Sequence, residues 1–142
     1  MSLKAFMTQD VTALPATATV LDAAKFMTDM NVGSVIITDD NEKPSGLITD
    51  RDIVSKVLAL GKDSKAIKID EIMISPVVTI SEDKDILDAT QTMSVHGVRR
   101  LPVINSKGEL AGVVSLDDIL LVLGKEMQDI AVTLQKECGK EL

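Results

Sequence analysis

The chain repeats itself once, at a spacing of 66 residues and without a gap. When residues 1–60 are laid on residues 67–126, ten positions are identical, against about four expected by chance at ordinary composition. The longest shared run is Leu21-Asp22-Ala23, which matches Leu87-Asp88-Ala89. Two like units in one chain predict a pseudo-two-fold axis with a cleft between the units. Because both units present the same polar groups to such a cleft, we expect the functional site to lie there.

Both copies show the same order of secondary-structure signals, β-α-β-β-α. This order predicts the α+β class, with two helices on one side of each small sheet. A three-stranded sheet is only marginally stable when its second face stays exposed. We therefore expect the two repeats to pack sheet to sheet with pseudo-two-fold symmetry. The predicted strands lie at residues 10–14, 34–38, 46–49, 76–80, 101–104 and 110–114, and the second helix of each copy at 50–60 and from 116 to about 136.

The repeat also predicts the domain boundaries. The first repeat is expected at residues 1–62, a linker at 63–68, the second repeat at 69–125 and a C-terminal helical extension at 126–142. The extension has no counterpart in the first copy, yet it carries apolar residues at helical spacing. These residues either pack on their own module or form a dimer contact, and the sequence leaves both open.

Composition excludes several classes of function. The net charge is −7, aromatic residues make up 1% of the chain, and Trp and Tyr are absent. An acidic chain without aromatic platforms is a poor candidate for binding nucleic acid or an anionic membrane. One histidine, His96, and one cysteine, Cys138, provide neither a metal site nor a nucleophile with its base. No apolar run approaches about 18 residues. We expect a cytoplasmic protein that is not an enzyme.

Three stretches carry a resemblance to a known family. Residues 46–53, Gly-Leu-Ile-Thr-Asp-Arg-Asp-Ile, and residues 112–119, Gly-Val-Val-Ser-Leu-Asp-Asp-Ile, each join a strand to a helix. Residues 96–103, His-Gly-Val-Arg-Arg-Leu-Pro-Val, precede and form a strand. Together they resemble tandem cystathionine-β-synthase (CBS) domains, the Bateman module. The resemblance covers residues 1–125 and implies a regulatory module that binds an adenosine-containing ligand between its repeats.

The pairs Thr49/Asp52 and Ser115/Asp118 occur where a strand turns into a helix. The spacing is that of a capping box, in which the hydroxyl and the carboxylate satisfy free backbone amides. The resemblance implies a second role. Asp52 and Asp118 would accept hydrogen bonds from ribose hydroxyls, and Thr49 and Ser115 would hold phosphate. Both roles can hold at once.

Arg99 and Arg100 begin a strand, so their side chains point to opposite faces of the sheet. One can face the cleft while the other faces solvent in a surface ion pair. The resemblance implies that both grip phosphate. The first copy has Gly33-Ser34 at these positions, which predicts one strong and one weak or empty anion position. Arg51 is either a further phosphate ligand or an exposed helix residue.

The resemblance also places Val11, Thr12, Val77 and Val78 at the adenine pocket, where backbone groups would read the base. Without it, the three valines are simply core residues. The chain is thus expected to be a regulatory sensor that binds AMP, ADP, ATP or a related ligand, needs no cofactor, forms a homodimer and signals to an unknown downstream protein. The alternative is an interaction or dimerisation scaffold with vestigial pockets.

Overall fold

The computed structural model describes residues 2–9 and 11–139 of the chain. Residue 10 of the first expected strand and residues 140–142 of the expected C-terminal extension lie outside this range. Each repeat forms its own three-stranded sheet, in which a two-residue strand runs parallel to the first strand of a hairpin. The first repeat comprises β1 (Leu14–Pro15), α1 (Val20–Met30), β2 (Ser34–Thr38), β3 (Pro44–Thr49) and α2 (Asp50–Ile53), which continues as a π-helical turn over Val54–Leu58; the second comprises β4 (Ile80–Ser81), α3 (Ile86–His96), β5 (Arg100–Ile104), β6 (Leu110–Ser115) and α4 (Leu116–Cys138).

The first helix of each repeat begins and ends where its sequence dictates. Thr19 caps α1 by accepting a hydrogen bond from the Asp22 amide, and the Asp22 carboxylate accepts one from the Thr19 amide. Asn31 ends the helix with a left-handed φ of 53°. In the second repeat, Asp85 caps α3, and Gly97 ends it with a φ of 65°. The same local chemistry therefore sets the length of both helices at 11 residues.

Alternation along the hairpins separates two faces of each sheet. Val35, Ile37 and Ile48 point to one face of the first sheet and join the core beneath the helices. Ile36 and Leu47, which pair across β2 and β3, share the opposite face. The second sheet repeats this division, with Leu101, Val103 and Val114 in its helix-side core and Pro102 paired with Val113 on the other face. The faces that carry Ile36 and Pro102 meet between the repeats, so the predicted sheet-to-sheet α+β architecture is confirmed.

The repeats exchange their leading segments, defined as residues 3–8 and 69–74. Ile69 and Ile72 are buried in the core of the first repeat, whereas Leu3 and Met7 are buried in the core of the second. Backbone hydrogen bonds complete each exchange. Thr8 and Val113 are joined in both directions by N–O distances of 3.0 Å, and residues 47 and 74 by distances of 3.0 and 2.8 Å. Neither hydrophobic core is therefore complete without the other repeat.

Two equivalent glycines allow the leading segments to lie against the sheets. A Cβ at Gly112 would be 2.6 Å from the carbonyl oxygen of Thr8 and 2.9 Å from Sδ of Met7. A Cβ at Gly46 would collide with Sδ of Met73. Real Cβ atoms do not approach other atoms this closely, so a larger residue at Gly112 would displace the backbone of the leading segment and one at Gly46 would displace the Met73 side chain.

The second helices of the two repeats differ. The sequence predicts an unbroken helix over residues 50–60, but regular α-helix ends at Ile53 and a π-helical turn follows. The fourth helix runs for 23 residues, well past the region that packs on its sheet. Its far end does not pack on the described part of the module, since Met127, Ile130 and Leu134 are 66%, 55% and 55% exposed. Across residues 2–9 and 11–139, every helix is too short or too polar to span a bilayer.

Candidate ligand cleft

A cavity of about 340 Å³ lies between the two sheets. Both repeats contribute to its wall, which is mainly apolar and has a few polar side chains. This combination is typical of small-molecule sites, where apolar groups cover a ligand and a few polar groups orient it. The apolar wall includes Phe26, Met30, Ile36, Leu47, Pro102 and Val113, and the polar side chains belong to Thr8, Thr12, Asn31, Ser34 and Arg100.

The two adjacent arginines occupy different environments. Arg100 lies on the same face of β5 as Pro102 and lines the cavity. Among the described residues, no carboxylate lies within salt-bridge distance of its guanidinium. Arg99 lies on the outer surface, where its Nη2 is 3.5 Å from Oδ1 of Asp117 and both side chains are about two-thirds exposed. The structure therefore places one cation of the pair in the cleft.

Strand register brings both strand-to-helix corners to the edge of this cleft. Ser34 pairs with Thr49, and Arg100 pairs with Ser115. Directly opposed residues on neighbouring antiparallel strands have Cβ atoms about 5 Å apart. Thr49 and Ser115 consequently adjoin side chains that line the cavity. The carboxylates of Asp52 and Asp118 follow about one helical turn later and do not line the cavity.

Both corners are capping boxes. Oγ1 of Thr49 accepts from the Asp52 amide at 3.1 Å, and Oδ2 of Asp52 accepts from the Thr49 amide at 3.0 Å. The Ser115 and Asp118 pair makes the same two bonds, each at 3.1 Å. The capping role read from the spacing is confirmed. Each box uses one carboxylate oxygen, which leaves the other available to a further donor.

The second carboxylate oxygen distinguishes the two corners. Nζ of Lys56 lies 3.2 Å from Oδ1 of Asp52 and also donates to the carbonyl oxygen of Ile72 at 3.1 Å. Asp52 is 8% exposed and is the one charged residue among the buried side chains of the described chain. Asp118 is partly exposed, and no cation of the described residues lies within salt-bridge distance of it. Val122 occupies the position that corresponds to Lys56.

The other residues named from the sequence are distributed as follows. Val11 and Thr12 line the cavity. Val78 packs at the border of the second core, and Val77 is partly buried outside the cavity wall. Arg51 is exposed in the first turn of α2, away from the cavity.

Sequence reasoning missed two sets of residues. The end of α1 contributes Phe26, Met30 and Asn31 to the cavity, and only the helix-ending Asn31 gave a local signal of a turn there. Lys56 was also missed, although it lies four positions after Asp52, which is the spacing of an ion pair along a helix.

Comparison with known proteins identifies the family. The CBS domain profile matches residues 3–59 and 69–125. Uncharacterized protein MK0525 of Methanopyrus kandleri is 38% identical over 114 residues, which are 80% of this chain and 58% of that protein. The chain thus spans little more than half the length of this relative.

Two solved structures share the architecture. A crystal structure of Hypoxic Response Protein I with two coordinated zinc ions has a TM-score of 0.76 and 32% identity, covering 84% of this chain and 97% of that one. The CBS domain pair of protein MJ0100, in complex with 5'-methylthioadenosine and S-adenosyl-L-methionine, has a TM-score of 0.78 and 27% identity, covering 89% and 98%. The chain described here belongs to the CBS domain family and consists of a tandem pair of these domains.

Proposed function

We propose that this CBS pair is a regulatory sensor that binds an adenosine-containing anion in the cleft between its repeats. The observation that carries the proposal is the cavity itself, in which an apolar wall from both sheets ends at the guanidinium of Arg100, which meets no carboxylate among the described residues. The wall offers an apolar surface to a purine, and the guanidinium offers bidentate hydrogen bonds to a phosphate. The complex of protein MJ0100 with two adenosyl compounds supports the adenosine part of such a ligand, and the anionic part is argued from Arg100 alone.

The ribose of such a ligand would lie at the Ser115/Asp118 corner. Arg100 and Ser115 are paired across β5 and β6, so we assign this corner to the ribose of a nucleotide whose phosphate meets Arg100. The carboxylate oxygen of Asp118 that the capping box does not use meets no cation among the described residues, and it is a suitable acceptor for a ribose hydroxyl. The Ser115 hydroxyl adds a donor for a phosphate oxygen, whereas the Leu116 and Asp118 amides already donate to the Arg99 carbonyl oxygen and to Oγ of Ser115. These contacts only hold the ligand and break no bond in it, so we propose a binding role without catalysis.

The proposal is tested by calorimetric titration of the full chain with AMP, ADP, ATP, S-adenosylmethionine and adenosine. Arg100→Ala should weaken AMP binding by about 10- to 100-fold, the range expected when a charge-assisted hydrogen bond is lost. It should leave adenosine binding nearly unchanged. Arg99→Ala is the matched comparison, and its effect should be several-fold smaller because its side chain faces outward.

Thermal or urea unfolding gives an independent measurement. A ligand present at 100 times its dissociation constant should raise the free energy of unfolding by about 2.7 kcal/mol if it binds only the folded chain. If none of the five compounds binds or stabilises the protein at millimolar concentration, the proposed function is wrong.

A scaffold function is the second candidate, and the exposed apolar side of α4 favours it. Leu120, Met127, Ile130 and Leu134 recur at alternating spacings of seven, three and four residues and are each at least 55% exposed. Such a stripe is suited to pairing with another helix. Under the sensor proposal it serves as a homodimer contact that transmits the ligand signal, whereas under the scaffold alternative docking is the whole function.

Charged substitutions on α4 separate the two functions. The double variant Met127→Glu, Ile130→Glu should convert a dimer to a monomer in light-scattering measurements, since it places carboxylates in an apolar contact. Val132→Glu introduces one such charge on the opposite side of the helix and should leave the molar mass unchanged. AMP binding that survives in the monomer supports the sensor, while a wild-type chain that associates but binds no nucleotide supports the scaffold.

A further inference from the structure

The two corners of the cleft are chemically different although their capping boxes are the same. Both oxygens of Asp52 are engaged, because Oδ2 accepts from the Thr49 amide at 3.0 Å and Oδ1 meets Nζ of Lys56 at 3.2 Å. The equivalent oxygen of Asp118 has no such cation among the described residues, because the chain has Val122 where the first repeat has Lys56.

Lys56 is held from two directions. It lies in the π-helical turn that follows α2, four residues after Asp52. Besides the carboxylate, its ammonium group contacts the Ile72 carbonyl oxygen at 3.1 Å, and Ile72 belongs to the leading segment that crosses over from the second repeat. The lysine therefore joins the Asp52 corner to the exchanged segment packed beside it. A carboxylate that is 8% exposed and already paired in this way has little capacity left for ligand hydroxyls.

We propose that Lys56 is a built-in occupant of the Asp52 corner and that it limits the module to one nucleotide per chain, bound at the Asp118 corner. This inference rests on the proposed function, since it concerns which of two equivalent corners is open to the same ligand. The Arg99-Arg100 pair is a separate source of asymmetry, because it adds positive charge to the second repeat. Here the Asp52 corner is closed by an ion pair inside the first repeat. Position 56 and its equivalent, position 122, then decide the stoichiometry.

Reciprocal substitutions between the repeats test the inference. Wild-type protein should bind one AMP per chain in equilibrium dialysis and calorimetry. Lys56→Val copies the second repeat into the first and should allow a second AMP to bind, and Lys56→Met should do the same while retaining the apolar stem of the side chain. Lys62→Val removes the same charge from an exposed position and should leave the stoichiometry at one.

The converse variant addresses the open corner. Val122→Lys places an ammonium four residues after Asp118 and should weaken AMP binding by at least about tenfold, the size of a lost hydrogen bond to a charged group. Asp118→Asn should weaken binding in the wild-type background, whereas Asp52→Asn should weaken only the second event in Lys56→Val. The folding of each variant is checked by its cooperative urea transition.

The possible failures are distinguishable. Two AMP molecules per wild-type chain, or a single binding event in both folded Lys56 variants, would overturn the role of Lys56 while the proposed nucleotide site stands. Unchanged affinity in Val122→Lys would overturn it as well. Absence of AMP binding to the wild type and to every variant would overturn the proposed function itself.

Discussion

The two repeats keep the same packing and diverge in the charges they bring to the cleft. The positions identical in both copies include the buried Ala23/Ala89 and Met27/Met93 pairs and the glycines that admit the leading segments, Gly46 and Gly112. Two positions at or near the cleft differ. Ser34 corresponds to Arg100, and the lysine beside Asp52 corresponds to a valine. Contacts required by the fold are thus shared, while the charged side chains at the cleft differ between the repeats.

The largest difference in stability is expected between the two glycines. At Gly112 an added Cβ meets a backbone oxygen, that of Thr8, at 2.6 Å, whereas at Gly46 the Cβ meets chiefly the flexible end of Met73. A backbone atom cannot move aside without breaking the Thr8–Val113 hydrogen bonds. Overpacking typically costs about 1–3 kcal/mol, so we expect Gly112→Ala near the upper limit and Gly46→Ala near the lower one.

Urea unfolding of the two alanine variants measures this difference. Equal losses of unfolding free energy in the two variants would show that both exchanged segments move aside equally easily. The contact with the Thr8 backbone oxygen would then not determine the cost.

The two capping boxes should contribute equally to the free energy of unfolding. Comparing them tests whether the shared features of the two repeats are also equal in energy. Thr49→Ala and Ser115→Ala each remove the side-chain oxygen that accepts from the third helical amide. Each should lower the free energy of unfolding by about 1 kcal/mol. Thr49→Ser is the control, since it keeps the hydroxyl and should lose only a few tenths of that amount.

A much larger loss in Ser115→Ala than in Thr49→Ala would contradict this equivalence. It would mean that the 23-residue α4 depends on its cap more than the short α2 does.

The smallest effect is expected from the acidic groups that cap the first helices. The Thr19 amide, by donating to Asp22, lowers the pKa of that carboxyl below its ordinary value of 3.8. The Asp88 amide lowers the pKa of Asp85 in the same way. A carboxyl whose pKa is lower in the folded chain stabilises that chain above the unfolded pKa, and this contribution disappears as the pH falls through the folded pKa.

Thermal unfolding at neutral pH and at about pH 2.5 checks the sign. Asp22→Asn and Asp85→Asn should each be less stable than the wild type at neutral pH, and the deficit should shrink in acid, where the wild type has also lost the charge. Both groups are exposed, so the shifts in melting temperature should be small. A deficit that is the same at both pH values would contradict an electrostatic origin.

Local chemistry explains why much of the fold was predictable. The repeat, the strand alternation and the two hydroxyl-to-aspartate spacings predict the elements and both capping boxes, because each depends on residues only a few positions apart. The π-helical turn at Val54–Leu58 was missed because its residues have ordinary helical periodicity. The exchange of leading segments was missed because Thr8 and Val113 pair across the whole sequence, and no local pattern records such a contact.

The candidate site was only partly predictable for a related reason. Alternation predicts that one of Arg99 and Arg100 faces the cleft, but both faces of β5 carry apolar residues, namely Leu101 and Pro102. The pattern therefore does not say which face is covered by helices. Tertiary packing assigns Leu101 to the helix side and so turns Arg100 toward the cavity. Whether Asp52 or Asp118 contacts a ligand stays a prediction.

The exchanged leading segments bear on how such a chain could have arisen. In a single copy with this architecture, the leading segment would not pack in its own core. Such a copy could complete its core only by exchanging leading segments with a second molecule. Joining two copies through a short connection replaces that encounter between molecules by the closure of one loop, whose entropic cost grows only slowly with length. Two copies in one chain complete each other's cores at any protein concentration, and each half can mutate separately, which a dimer of identical chains does not permit.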